Sequence, residues 1–293
     1  MDSKRFKVRF YVGQVGAAGG DGLVSAALDA MSTGGCPVTE IGNISYEIRG
    51  LLRFNDGATF RGVFARFRSD DLPHVGTPGG GEHELDIEPD DGLLEKNYFL
   101  YFRQHQLLVY QENGNGSAVG RLGEYFTRFF GTTTVFQPVL QPDATRRLLR
   151  QDVEPMSLEL SFARPTNTDW FPADDFSREL LALMNSARAP SVRLLLKGGG
   201  RGSNRQPLSR RIKRSIVGLM GHADVKVARL VVDDNEGRHP IDLIADRLTH
   251  HIDVQMAGRY PVERSVFSGL MEAKDEHNDA LEAIFGAGDG ILD

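Results

Sequence analysis

Ile44–Phe67 reads ISYEIRGLLRFNDGATFRGVFARF, two apolar, strand-like runs on either side of Asn55-Asp56-Gly57. Glycine supplies the positive φ that a tight turn needs, so an Asp-Gly pair between such runs signals a β-hairpin. The stretch predicts two antiparallel strands, Ile44–Phe54 and Thr59–Phe67. Antiparallel pairing this early sets the fold class, and the flanking patterns extend it.

Upstream, Phe6, Val8, Phe10 and Val12 alternate with Lys7, Arg9 and Tyr11, the period of two expected for a half-buried strand. A Gly-rich stretch (Gly13–Gly22) then precedes a helical run, Leu23–Met31. Downstream, the Pro-, Gly- and acid-rich residues 69–91 read as a long exposed loop. Tyr98–Phe102 and Leu107–Gln111 read as a second hairpin. Ser117 is placed to cap a helix running to Phe130, Val135–Leu140 reads as a strand, and Pro142 opens a short basic helix through Arg150.

Around Asp152–Pro155 the pattern restarts with a strand at Met156–Phe162. A helix opening at Asp174-Asp175 puts Phe176, Leu180, Leu181 and Met184 on one face, and Val192–Leu196 is a buried-type strand. The Pro207–Met220 helix, strands Val225–Val232, Ile241–Ala245 and His250–Met256, and a closing helix Val262–Phe285 follow. This order predicts an α+β fold in two lobes, each a mixed, largely antiparallel sheet with packed helices. The lobes are expected at 1–152 and 153–293.

An apolar share of 40% with 25% charged residues is that of a chain with a packed core rather than a disordered one. No apolar run approaches the roughly 20 residues that span a bilayer. The start Met1-Asp2-Ser3-Lys4-Arg5-Phe6 has no apolar signal core. Cys36 is the single cysteine, which excludes an internal disulfide and a Cys-rich zinc site. A cytoplasmic, bacterial, homo-oligomeric protein without membrane span, metal or cofactor is expected.

Charge is distributed unevenly. Between Arg188 and Arg229 stand eleven Lys and Arg residues and one acid, Asp224, a balance of +10 within a chain of net charge −6. Such a split points to a polyanionic partner, foremost nucleic acid, DNA or RNA. Here Gly198, Gly199, Gly200 and Gly202 form a flexible loop before the basic helix. Such a loop leaves amides open to a phosphate, and a helix start adds a positive dipole end. Lys197, Arg201, Arg205, Arg210, Arg211, Lys213 and Arg214 are the expected phosphate contacts. Gly198–Asn204 lacks the Gly-Lys-Ser/Thr ending of a nucleotide P-loop. The bland counterpart is a solvated basic face that balances the chain's own acids or docks an acidic protein.

Other chemistry is thinner. His250-His251 on a strand point to opposite faces, and no histidine spacing forms a metal motif. The acidic loop with His74 and His83 reads as solvated. Cys36 shows no partner for nucleophilic chemistry, and Gly13–Gly22 lacks dinucleotide-binding spacing. A metal-dependent nuclease is the enzymatic alternative, with Glu159, Asp233, Asp234, Asp242 and Asp246 as its acids, although turn and strand acids describe them better. Among the aromatics, Tyr101 and Tyr110 are the candidates for stacking on bases, the rest reading as core.

The stretch Leu94–Tyr101 (LEKNYFLY), the strand Leu107–Gln111, the Asn113–Gly116 turn and Gly258-Arg259-Tyr260-Pro261 resemble bacterial proteins of unknown function found around phage-defence loci. The DNA-binding B component of the Kiwa system is a distant analogue of that group. The resemblance implies an anti-phage setting, with a protein partner in a defence system, and transfers no catalytic residue. Three readings follow: a nucleic-acid-binding protein, a nuclease, or an interaction subunit that docks an acidic partner.

Overall fold

The computed structural model describes residues 2–15, 23–88, 91–142, 148, 150–165, 171–199, 206–222, 225–234 and 237–286. The first stretch forms β1 (Ser3–Val15), α1 (Leu23–Gly34), β2 (Thr39–Ile41), β3 (Ile44–Phe54) and β4 (Thr59–Arg68). It continues through β5 (Val75–Gly76), β6 (Glu82–His83), β7 (Leu93–Phe102), β8 (Leu107–Glu112), α2 (Val119–Phe130) and β9 (Thr134–Pro138). Next come β10 (Glu154–Ala163), α3 (Asp175–Ser186), β11 (Ser191–Lys197), α4 (Arg211–His222), β12 (Val225–Asp234) and β13 (Gly237–Asp242). Last are β14 (Thr249–Ala257), β15 (Tyr260–Pro261), α5 (Glu263–Glu276) and α6 (Asn278–Phe285). The fold is α+β, and the pairings within its sheets are antiparallel.

The hairpin that set the class forms as expected. β3 and β4 pair with Phe54 opposite Thr59, and Asn55, Asp56 and Gly57 all take positive φ in the turn. Further along β4, Gly62 lies against Phe99 of β7, where an added Cβ would stand 2.7 Å from the Phe99 ring. Glycine there lets the ring cross the neighbouring strand.

The large sheet runs β15-β14-β1-β8-β7-β4-β3-β2, with β9 also on β1. It is covered on both faces. Tyr11, Phe64, Phe99, Tyr101 and Tyr110 pack with α1 and α2 on one side. Val8, Phe10, Tyr98, Leu100 and Val109 pack with α5 and α6 on the other. Successive strand residues point to opposite faces, so a sheet buried on both sides reads as a continuous apolar run, as Tyr98–Tyr101 does. Ser117 is not the cap expected of it. Ala118 takes that place, while the Ser117 N–H donates to Asn97 Oδ1 (2.7 Å) and its carbonyl accepts from the Tyr110 hydroxyl (2.9 Å).

The second sheet, β11-β10-β12-β13, packs one face on α3 and α4 around Leu158, Leu160, Phe162, Leu230, Ile216 and Leu219. Its start at Glu154 matches the expected restart, but the lobes are not two consecutive halves. After β13 the chain returns to the large sheet, where β14 pairs with β1 and Lys7 lies opposite His251. The smaller sheet is therefore an insertion between β9 and β14. Alternation in β14 reports a half-buried strand and is silent on which sheet completes it. Among the described residues no helix is long and apolar enough to cross a membrane.

Candidate anion-binding cavity

Residues 207–209 are not helical, and the Leu208 N–H donates across to the Pro155 carbonyl (2.7 Å). The helix expected from Pro207 therefore begins at Arg211. Ser209 prepares its first turn, its Oγ accepting from Arg211 N–H (3.3 Å) and its carbonyl from Ile212 N–H (3.1 Å). Ile212, Ile216, Leu219 and Met220 form the buried stripe that seats α4 in the smaller core.

A cavity of about 570 Å³ opens at this amino end. Arg210, Arg211, Lys213 and Arg214 line it from α4 and the residue before it, and Arg150 and Gln151 from the connector that leads to β10. Asp174 and Ser215 complete the wall. Arg150 and Gln151 lie outside the basic segment, and the signal for Arg150 was the short basic helix that ends there. Its approach to Arg210 depends on tertiary packing.

The cations differ in their engagement. Arg150 makes a two-point pair with Asp152, with Nε 3.0 Å from Oδ1, and this holds the Asp152 carboxyl below its ordinary value. Arg210 Nη2 lies 3.2 Å from Glu154 Oε1. Lys213 is only 5% exposed, and its Nζ donates to the carbonyls of Arg150 (2.8 Å) and Val153 (2.9 Å). Burial, then the neighbouring Arg210 charge, lowers the Lys213 pKa, while Asp152 raises it. Lys213 was expected as an exposed phosphate contact and is instead a buried tie at the cavity wall. Arg211 and Arg214 are exposed, and among the described residues neither pairs with an acid.

Asp174 caps α3 by accepting from Ser177 N–H (3.2 Å) and Ser177 Oγ (2.6 Å). It also accepts from Ser215 Oγ (2.7 Å), which ties α3 to α4. Burial pushes its carboxyl up, but these hydrogen bonds together hold it below its ordinary value. Among the described residues, five lining cations against Asp174 on the wall and the paired Asp152 and Glu154 beside it leave a local charge of +2. The first-turn amides of Arg211, Ile212 and Lys213 are already bonded within the turn. An anion at this helix end meets guanidinium groups, with the helix dipole behind them.

The remaining expected residues fall elsewhere. Lys197 is exposed at the end of β11 and outside the cavity wall, and among the described residues it has no acid partner. Arg201 and Arg205, with most of the Gly-Arg loop, lie outside the described residues. Tyr101 and Tyr110 are each 1% exposed in the core of the large sheet and present no ring to a base, a correction to their expected stacking role.

Three of the five acids considered for a nuclease, Glu159, Asp233 and Asp242, are engaged in charge pairing on the smaller sheet. Glu159 pairs with Arg193 and lies in register with Arg229, which pairs with Asp242 (2.8 Å). Asp233 pairs with Arg238 (3.4 Å). Among the described residues no cluster of three or more His, Cys, Asp or Glu is placed to hold a metal.

Comparison with known proteins gives one family. The model of a family of unknown function, DUF6731, matches residues 55–278, a span that takes in β4 to β14, α5 and the whole cavity wall. No curated protein matches the chain.

Proposed function

We propose that this chain, which belongs to the DUF6731 family of unknown function, is a nucleic-acid-binding protein that grips phosphate at the amino end of α4. The observation that carries this reading is the convergence of Arg150, Arg210, Arg211 and Arg214 on one cavity, where Arg211 and Arg214 have no acid partner among the described residues. Guanidinium groups match phosphate oxygens in geometry as well as charge. Lys213 and the Asp174–Ser215 bond hold the helix that presents them, so the cations sit on a rigid support. The anti-phage setting implied by the resemblance belongs to the same proposal and adds no residue to it.

Electrophoretic mobility shifts with DNA and RNA, single- and double-stranded, over a salt series test this. Binding through phosphates weakens steeply with salt and depends little on sequence. Replacing Arg211 and Arg214 by Glu removes both contacts and reduces the slope of log affinity against log salt by about 2. Unchanged affinity in that variant would sink the proposal. Cleavage that requires magnesium would add nuclease chemistry to it.

A further inference from the structure

Resting on that reading, we infer that the cavity receives a terminal phosphomonoester of a nucleotide rather than the diesters of a continuous strand. Charge separates the two. A phosphomonoester carries about −1.5 to −2 at neutral pH, and a backbone diester carries one negative charge. Among the described residues, the lining cations exceed Asp174 and the paired Asp152 and Glu154 by two charges, which one monoester neutralises and one diester does not. A strand would have to bend two successive diesters into the cavity to do the same.

Shape and the acid in the wall point the same way. The cations are gathered around one cavity of about 570 Å³, which has room for more than a phosphate group. Asp174 and Gln151 line the same space. A bare phosphate would be repelled by Asp174, whose three accepted hydrogen bonds leave a carboxylate lone pair for one further donor. A phosphate joined to a group bearing hydroxyl or amine donors gives Asp174 a proton donor and Gln151 a polar partner. A nucleotide has both parts. The same chemistry is found at a phosphorylated strand end and in a free mononucleotide.

Fluorescence polarisation on the full chain distinguishes these sources. The probes are one labelled single strand with a 5′-phosphate, with a 3′-phosphate, or with hydroxyls at both ends, competed by a nucleoside monophosphate or inorganic phosphate. One phosphorylated end is expected to bind about tenfold tighter than the hydroxyl strand, which corresponds to one charge-assisted contact pair. The mononucleotide is expected to compete at concentrations where inorganic phosphate does not. The variant R211A/R214A, altered only at exposed side chains without acid partners among the described residues, is expected to fold normally and to lose the end preference.

Equal, salt-sensitive binding of all three strands would overturn the inference and leave the nucleic-acid reading intact. Equal competition by inorganic phosphate would also overturn it, because Asp174 and Gln151 would then read nothing. If the mononucleotide binds and no strand does, the inference stands for the free nucleotide and the nucleic-acid reading falls. Binding by none of the probes removes both.

Discussion

The Lys213 ammonium donates to the Arg150 carbonyl at 2.8 Å, so the helix that carries three of the cavity's cations is tied to the segment that supplies a fourth. A second bond, to the Val153 carbonyl at 2.9 Å, places the same ammonium against the chain just before β10. Replacing Lys213 by Met keeps the apolar stem and leaves two carbonyls without this donor. Orphaned buried polar groups cost roughly 1–3 kcal/mol, so a melting temperature several degrees lower is expected for Lys213→Met. Arg211→Ala, at an exposed side chain without an acid partner among the described residues, is expected to melt as the wild type does. Differential scanning calorimetry of both variants checks the contrast, and equal melting would place Lys213 on the surface after all.

Asp174 should show itself through pH. Three hydrogen bonds, from Ser177 N–H, Ser177 Oγ and Ser215 Oγ, stabilise its charged form against burial. A carboxyl whose folded pKa is depressed adds stability above its unfolded value, near 3.9, and loses it as pH falls through the folded value. Asp174→Ala removes a helix cap worth about 1 kcal/mol, so it melts lower than the wild type at pH 7. That gap narrows as pH falls below about 3.9, where the unfolded chain takes up the proton before the folded carboxyl does. A gap of the same size at pH 3 and pH 7 would show that charge is not what Asp174 contributes.

What could be read in advance differed from element to element for physical reasons. The Asn55-Asp56-Gly57 turn and the β7–β8 hairpin were legible because turn chemistry and pairing are local. Lys213 was legible too, had the helical period been applied strictly. It stands seven residues before buried Met220, which puts it on the apolar stripe and off the Arg210–Arg214 face. Its three-residue spacing from Arg210 points the other way, towards a face shared with the arginines. Other features are set by tertiary contacts that no short window contains. Arg150 meets α4 from about 60 residues away, and β14 passes over the adjacent sheet to join β1. Tyr101 and Tyr110 looked available because half-buried strands are common, whereas helices cover both faces of this sheet.

The large sheet carries a pH response of its own at His277, where the closing helix expected as one piece breaks into α5 and α6. The His277 ring meets Phe10 edge-on at 5.2 Å and His250 at 5.3 Å, and its Nε2 is buried without a hydrogen-bond partner. Burial lowers the imidazole pKa, the His250 charge lowers it further, and Glu276 opposes both. A base with a depressed folded pKa favours its neutral form in the folded protein. The unfolded chain then binds the extra proton first as pH falls below the ordinary imidazole value near 6.5, and stability drops across that window. His277→Leu removes the titrating ring and keeps an apolar side chain against Phe10. Its melting temperature is expected to change less between pH 7 and pH 5 than that of the wild type. Parallel thermal melts at the two pH values decide the matter, because identical slopes would move the response away from this ring and onto groups elsewhere in the chain.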